Sequence, residues 1–207
     1  MIITYTIKLQ RWECVKVLIK KIVSICTKNG IVRKLQDDGF QWLGDGVGFY
    51  PLTDVLDFTE NSFCASFDIP QKKADKMQFS FDETIPEGFN FGDSDAEEIQ
   101  TEFEFDISIV YGGKCLMPIK ASDGIAYLDK AYFQPIADRN EDITYIFERH
   151  SESGTQFFVI KVGLVVVAVI LPFNRITEQF SDSLKNISLL TKVKLENMKN
   201  AKQHEEQ

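Results

Sequence analysis

The most apolar stretch of the chain runs from Phe157 to Leu171 and reads FFVIKVGLVVVAVIL. A membrane-spanning helix needs about 20 apolar residues to cross a hydrocarbon core about 30 Å thick. This stretch has 15 residues, contains Lys161 and is closed by Pro172. Most of its residues are β-branched, which favours extended strands over helix. The pattern therefore predicts two central buried strands that meet near Gly163.

The next stretch has the three- and four-residue period of an amphipathic helix. Its apolar stripe consists of Ile176, Phe180, Leu184, Ile187, Leu190 and Val193. Asn174 is the predicted N-cap, and lysines crowd the far end, where the helix dipole favours them. We expect a helix from 175 to about 198 that covers one face of the sheet.

Alternation of apolar and polar residues predicts further strands, because a half-buried strand has a period of two. The alternating stretches are 3–9, 77–82 and 103–109, and ITYIFERH at 143–150 is a further predicted strand. A three-stranded meander is expected over 101–128, where Gly-Gly and Asp-Gly pairs interrupt the apolar segments.

Two turn signals predict hairpins near the N-terminal end of the chain. Asn29-Gly30 separates IVSICTK from IVRKL, and both residues tolerate the positive φ of a type I′ turn. A second hairpin is expected through Gly44-Asp45-Gly46. The segment 53–67 has room for one or two short helices, the second capped by Thr59 or Asn61.

These elements predict an α+β fold in a single domain over 1–207. The predicted architecture is a mostly antiparallel sheet of hairpins and meanders, with a long C-terminal amphipathic helix packed on one face. A chain of 207 residues is long enough to bury a substantial core.

The net charge of −8 hides a strong polarisation along the chain. Residues 1–36 carry eight Lys or Arg against one Glu, whereas 77–113 carry ten carboxylates and no basic residue. The charge pattern therefore suggests a subdivision into a basic N-terminal hairpin region, 1–76, an acidic strand–loop–strand, 77–113, and a region of central strands plus helix, 114–207.

The motifs of common enzymes and metal sites are absent from this sequence. The four cysteines form no Cys-x-x-Cys pair, and the Gly-x-Ser-x-Gly elbow is missing. His150 lies beside two serines, an arrangement more typical of a solvated residue at a strand end than of a catalytic base. We therefore predict no catalytic residue, no metal ligand and no cofactor. The plentiful carboxylates leave a carboxylate- or metal-dependent enzyme open as an alternative.

The N-terminal residues lack the apolar segment and the small-residue cleavage site of a secretory signal. A cytoplasmic chain with reduced thiols and no membrane association is therefore expected.

The acidic region offers a candidate binding surface for a basic protein. Glu102, Glu104 and Asp106 alternate with apolar residues and are predicted to share the outer face of one strand. The preceding long loop combines carboxylates, which steer a basic partner over long range, with phenylalanines that serve as apolar anchors. The loop candidates are Phe89, Phe91, Asp93, Asp95, Glu97 and Glu98. The competing interpretation is a solvated strand face beside a flexible loop.

The basic first 36 residues support another alternative, a nucleic-acid-binding protein that uses the N-terminal hairpins. Their lysines would follow phosphates, and Tyr5 and Trp12 would stack on bases. The competing interpretation is that the lysines keep exposed hairpin faces soluble and protect sheet edges. We favour the second interpretation, because the chain as a whole is acidic and would repel a polyanion.

Three stretches, DGFQWLGDGVGFYPL, YGGKCLMPI and GIAYLDKAYFQPIAD, carry a resemblance to known sequences. There the chain resembles uncharacterised proteins carried by prophages and other mobile elements of Gram-positive bacteria. The resemblance covers most of the chain and implies an accessory protein that acts on a host system. It implies no activity, substrate or catalytic residue.

We therefore predict a non-enzymatic intracellular binding or inhibitor protein whose acidic surface engages a basic protein. One form of this function is a nucleic-acid mimic that blocks a defence or regulatory nuclease.

Overall fold

The computed structural model describes most of the chain. The described residues are 17–37, 40–52, 58–103, 108–136 and 144–176, with the helical positions 180, 182–183, 186–187 and 189–194. The chain divides into two compact units, Met1–Pro172 and Phe173–Gln207. The strands of the first unit come from all three charge regions of the sequence.

The described part of the first unit contains eleven strands, three α-helices and one 3-10 helix. The helices are α1 (Ile19–Asn29), α2 (Glu60–Ser66) and α3 (Gln71–Ala74), with the 3-10 helix at Lys130–Phe133. The strands are β1 (Ile31–Asp37), β2 (Phe40–Gly44), β3 (Gly48–Leu52), β4 (Gln78–Thr84), β5 (Ile99–Thr101), β6 (Ile109–Tyr111), β7 (Lys114–Ala121), β8 (Gly124–Asp129), β9 (Thr144–His150), β10 (Gln156–Val162) and β11 (Val165–Ile170).

The strands form two sheets, one of eight strands and one of three. The larger sheet has the order β4-β1-β2-β3-β11-β10-β9-β5, and the smaller has the order β6-β7-β8. Among the described pairs of strands, β1 and β4 run parallel and the others run antiparallel. The predicted α+β class with a mostly antiparallel sheet is confirmed.

The two central strands of the larger sheet, β10 and β11, are buried on both faces. Phe158 and Ile160 pack on one face with helix α1, and we call this the helix side. Phe157 and Val159 pack on the other face, the loop side, against phenylalanines of the loop before β5. The two strands join at Gly163, whose φ is +61°. The prediction of two buried central strands that meet near Gly163 is confirmed.

The predicted hairpin through Asn29-Gly30 is wrong, because residues 19–29 form helix α1. Its buried residues Ile22, Val23 and Cys26 follow the three- and four-residue spacing of a helix face. Gly30 has a φ of +75° and donates its backbone N–H to Cys26 O at 2.8 Å, which ends the helix. A left-handed glycine serves a helix C-terminus as readily as a type I′ turn, so the Asn-Gly pair alone did not distinguish the two.

Two substitutions test this helix; Gly30→Ala probes the left-handed position at its end, and Ser24→Ala distinguishes the helix from the predicted strand. Gly30→Ala should lower the free energy of unfolding by about 1 kcal/mol, because a side chain is strained at this left-handed position. Ser24 is exposed and lies in the middle of α1. Ser24→Ala should raise the free energy of unfolding by a few tenths of a kcal/mol, because Ala is the better helix former. Urea denaturation measures both. Destabilisation by Ser24→Ala would favour a strand, where Ala is disfavoured.

Several local predictions are confirmed by the described residues. Strands β2 and β3 pair antiparallel across residues 45–47, as the second hairpin requires. Thr59 caps helix α2, where it accepts the backbone N–H of Ser62 at 3.2 Å. Strands β4 and β9 and the meander strands β7 and β8 also lie where the sequence placed them, whereas the first described strand of the meander, β6, begins at Ile109. Residues 104–107 of the predicted strand at 103–109 lie outside the described residues, so that strand stays a prediction. The predicted strand at 3–9 lies outside the described residues.

The second unit contains helix α4, which is helical at its described positions between 180 and 194. A C-terminal helix is thereby confirmed over this part of the chain. Its extension to about residue 198 lies outside the described residues, and its packing on the sheet stays a prediction.

Candidate functional site

The acidic loop, residues 85–98 between β4 and β5, lies on the loop side of the larger sheet. Phe91 is only 4% exposed, and its ring centroid lies 5.2 Å from that of Trp42 and 5.8 Å from that of Phe49. Phe89 is half-buried, with its ring 5.1 Å from that of Phe157. The expectation that Phe91 is an exposed anchor is wrong, because the loop uses this side chain to cover the apolar face of the sheet.

A buried ion cluster joins the acidic loop to the central strands. It consists of Arg149 on β9, Lys161 on β10, and Glu98 and Asp95 on the loop; we call it the Arg149 cluster. The Arg149 side chain is fully buried, and its Nε lies 2.9 Å from Glu98 Oε2. Lys161 forms an ion pair with the other oxygen of Glu98, and Asp95 Oδ2 lies 3.9 Å from Arg149 Nε. Two positive and two negative side chains therefore balance each other inside the protein.

Arg149 also binds the backbone of the acidic loop. Its Nη1 donates to the carbonyl oxygens of Asn90 and Gly92, both at 2.9 Å. The Asn90 side chain closes the loop on itself, donating to Ser94 O at 3.0 Å and to Asp95 Oδ2 at 2.9 Å. One buried guanidinium thus holds both the side chains and the main chain of the loop.

Two further contacts attach the loop to its surroundings. The backbone N–H of Val166 on β11 donates to Asp93 Oδ1 at 2.9 Å. The backbone N–H of Glu152 donates to Gly88 O at 3.1 Å, which joins the loop to the turn between β9 and β10. The loop is therefore bound to three strands or their connections.

Some carboxylates on this side point into water. Glu87 and Glu97 on the loop and Glu152 on the neighbouring turn are exposed, and we call these three residues the acidic loop surface. Within the described part of the chain, none of their carboxylates forms an ion pair. Their negative charges are therefore available to a partner.

The predicted carboxylate ladder is described only at Glu102. Its side chain is 71% exposed and forms an ion pair with Lys120. The hydrogen bond from Lys120 holds the pKa of Glu102 below its usual value. Glu104 and Asp106 lie outside the described residues, so the proposed common face of the three carboxylates stays a prediction.

The structure thus divides the predicted binding residues into two groups. The first group holds the loop in place through contacts with the strands and consists of Asp93, Asp95, Glu98, Phe89 and Phe91. Glu97 and Glu102 are exposed. Their role in binding a partner stays a prediction.

The sequence reasoning missed Arg149 and Lys161, the cations on which the loop depends. A usable signal was present, since Lys161 interrupts an otherwise apolar central strand. A buried cation needs a carboxylate partner. The acidic region 77–113 was an available source of one.

His150 lies in a second polar cluster around the buried Glu148. Its Nε2 is 3.4 Å from Glu148 Oε1, and that carboxylate accepts hydrogen bonds from Ser122 Oγ at 2.6 Å and from Gln156 at 2.8 Å. The hydroxyl of Ser151 instead pairs with Ser153 at 2.9 Å. Glu148 thus organises the turn between β7 and β8, and no described serine hydroxyl donates to His150.

A third polar cluster surrounds Asp45, which is 4% exposed. Its carboxylate accepts hydrogen bonds from the Tyr132 hydroxyl at 2.8 Å and from Asn29, and from the backbone N–H groups of its own turn. Burial and the Asp45 charge raise the pKa values of the Tyr132 hydroxyl and of the Cys26 thiol. Both groups are therefore neutral at physiological pH. Through Asp45, the side chains of Tyr132 and Asn29 join the 3-10 helix and the end of α1 to the turn between β2 and β3.

Among the described residues, no group of three or more His, Cys, Asp or Glu side chains is placed to hold a metal ion. The same part of the chain contains no helix that is both long and apolar enough to cross a membrane. Comparisons with known protein families, curated proteins and solved structures find no match to this chain.

Proposed function

We propose that this protein is a non-enzymatic binding protein that presents the acidic loop surface to a basic protein partner. The observation that carries the proposal is the attachment of the acidic loop by the buried Arg149 cluster. A 14-residue loop without regular structure is expensive to order, and here the ordering is part of folding itself.

A fixed loop makes a better binding surface than a mobile one. A partner that meets an ordered surface does not have to supply the free energy that orders it. Phe91 and Glu98 hold the loop through contacts on the side that faces the sheet, whereas Glu87 and Glu97 are exposed to solvent. The loop thus separates the residues that hold it from those that can contact a partner.

Charge supports the choice of a basic partner. The Arg149 cluster is neutral as a whole, so the exposed carboxylates of the acidic loop surface are not compensated from below. Uncompensated charge of one sign speeds the encounter with a partner of opposite sign. A nucleic-acid mimic and an accessory protein of a mobile element are two specific forms of the proposed binding protein.

The double variant Glu87→Lys/Glu97→Lys tests the proposal. Both side chains are exposed, so the fold should survive with a free-energy change of less than about 1 kcal/mol per site. Association with a basic partner, captured with the wild-type protein as bait, should slow by about tenfold or more at low salt. The difference should shrink at about 1 M salt, where the Debye length falls to about 3 Å. Surface plasmon resonance measures the rates.

The matched control is Glu60→Lys/Asp75→Lys, which changes the net charge equally at two exposed residues, one on α2 and one directly after α3. This control should associate much faster than the acidic-loop variant at every low salt concentration. Equal rates for the two variants would show that only net charge matters, and would contradict a site on the acidic loop surface.

The alternative of a metal-dependent enzyme predicts a different result. Mg²⁺ or Mn²⁺ would then raise the melting temperature, because a ligand that binds only the folded state stabilises it. A thermal-shift titration with each ion distinguishes this alternative from the proposed function.

A further inference from the structure

A groove of about 630 Å³ lies on the helix side of the protein, between α1 and the segment that joins α2 to α3. Lys20, Ser24, Thr27 and Lys28 of α1 form one wall, and Lys73 stands on the other. The groove lies outside the acidic loop and shares none of its residues.

The groove wall on α1 is a continuous polar face. Its four residues are spaced by four, three and one positions, which places them along one side of a helix. Lys20 and Lys28 are eight positions apart, which corresponds to about 12 Å along the helix axis. A lysine therefore stands at each end of a polar wall that is longer than a single phosphate group.

Among the residues that line the groove, the three lysines Lys20, Lys28 and Lys73 outnumber the one carboxylate, Asp68. Six lysines lie on α1, on α3 and directly after it: Lys20, Lys21, Lys28, Lys72, Lys73 and Lys76. The acidic residues near these lysines in sequence are Asp68 and Asp75, and Asp75 Oδ1 accepts a hydrogen bond from Gln71 at 2.8 Å. In the described part of the chain, none of the six lysines forms an ion pair.

The groove also has an apolar component. Val23 and Ile69 are buried at its base, and half-buried Phe67 contributes to the wall opposite α1. Such a surface suits the sugar or base that follows a bound phosphate, as in proteins that hold single strands by charge and apolar contact.

The acidity of the whole chain does not prevent anion binding here. The acidic loop packs on the loop side of the larger sheet, whereas α1 packs on the opposite side. Charges separated by more than the Debye length of about 8 Å at physiological salt are largely screened. The opposing charges therefore act on separate surfaces.

We propose that this groove, between α1 and the α2–α3 segment, binds the phosphate backbone of a single-stranded nucleic acid. A single strand can enter between the two walls, with phosphates against the lysines at both ends of α1. A single strand is narrower and more flexible than a duplex, so we expect the single strand to bind more tightly. The inference goes beyond the proposed function, because it concerns a different surface and a ligand of opposite charge.

The test is fluorescence anisotropy with a labelled single-stranded oligonucleotide, as DNA and as RNA, and with the matching duplex, over a salt series. The wild-type protein should bind the single strand more tightly than the duplex, with affinity falling as salt rises. The variant Lys20→Gln/Lys28→Gln/Lys73→Gln should bind at least tenfold more weakly. Its logarithmic salt slope should be shallower by about 2, because each lost phosphate contact contributes about 0.7.

The control is Lys130→Gln/Lys192→Gln/Lys194→Gln, which removes the same charge from exposed lysines that do not line the groove. This control should bind within about twofold of the wild type, and thermal melts should show that both variants fold. Three results would overturn the proposal: no salt-dependent binding of the single strand, tighter binding of the duplex, or equal losses in the two triple variants. The variant Glu87→Lys/Glu97→Lys should still bind the single strand, so failure of the two proposals is distinguishable.

Discussion

Glu98→Gln is expected to lower the free energy of unfolding by about 3 to 5 kcal/mol, the range for breaking a buried ion pair. The amide keeps the shape of the side chain but removes the charge that pairs with Arg149 and Lys161. Both cations would stay buried, with Asp95 Oδ2 at 3.9 Å from Arg149 as their nearest remaining charged partner in the cluster. Urea denaturation followed by tryptophan fluorescence measures the loss.

The neighbouring Glu97→Gln is the matched control. Glu97 is exposed and has no ion-pair partner among the described residues, so this change should alter stability by less than about 0.5 kcal/mol. Similar losses for the two variants would contradict the buried cluster. A small loss for Glu98→Gln alone would show that water reaches the cations.

Phe91→Ala should also cost about 3 to 5 kcal/mol, because it removes a buried ring from between Trp42, Phe49 and Phe157. The loss combines the transfer free energy of the ring with the cavity left behind. Because Phe91 also anchors the acidic loop, we expect faster proteolysis within the loop under native conditions. Denaturation and limited proteolysis measure the two effects separately.

Phe103→Ala provides the comparison for this substitution. Phe103 is 41% exposed and contacts the ring of Phe133 at a centroid distance of 5.9 Å. Its truncation should cost clearly less than that of Phe91, since less apolar area returns to water. An equal or larger loss at Phe103 would mean that the acidic loop is not packed on the sheet in solution.

The Arg149 cluster is not by itself a source of large net stability. Removing two cations from water costs several kcal/mol per ion, and their attraction to Glu98 and Asp95 offsets that cost only when the geometry is good. The consequence that can be measured is the penalty for losing one partner. This asymmetry explains why Glu98 and Glu97, adjacent in sequence, should respond so differently.

Much of the local structure follows from the sequence because short-range chemistry determines it. The β-branched run with a glycine near its centre favours burial as two strands over burial as a helix. Gly44-Asp45-Gly46 supplies the turn between β2 and β3, and Thr59 supplies the cap of α2. In these cases the residues that specify the element lie within it or next to it.

Helix α1 shows where local chemistry was insufficient. Asn29-Gly30 permits positive φ both in a type I′ turn and after a helix, and the apolar residues before it fit either period in part. Contacts with the larger sheet decide between them, because only a helix buries the adjacent residues Ile22 and Val23 together with Cys26 on one face. The parallel pairing of β1 with β4 likewise depends on how α2 and α3 return the chain.

The candidate site depended even more on tertiary structure. The sequence predicted an acidic, phenylalanine-bearing segment without regular structure over 83–100, and the structure keeps 85–98 as a loop while the two ends belong to β4 and β5. The sequence also placed Lys161 in a central strand. Only the fold brought Arg149 and Lys161 against Glu98, residues separated by 51 and 63 positions. A carboxylate's role depends on what lies opposite it in space, and sequence spacing does not encode that. Carboxylates of one acidic segment therefore belong both to the buried Arg149 cluster that holds the loop and to the exposed acidic loop surface.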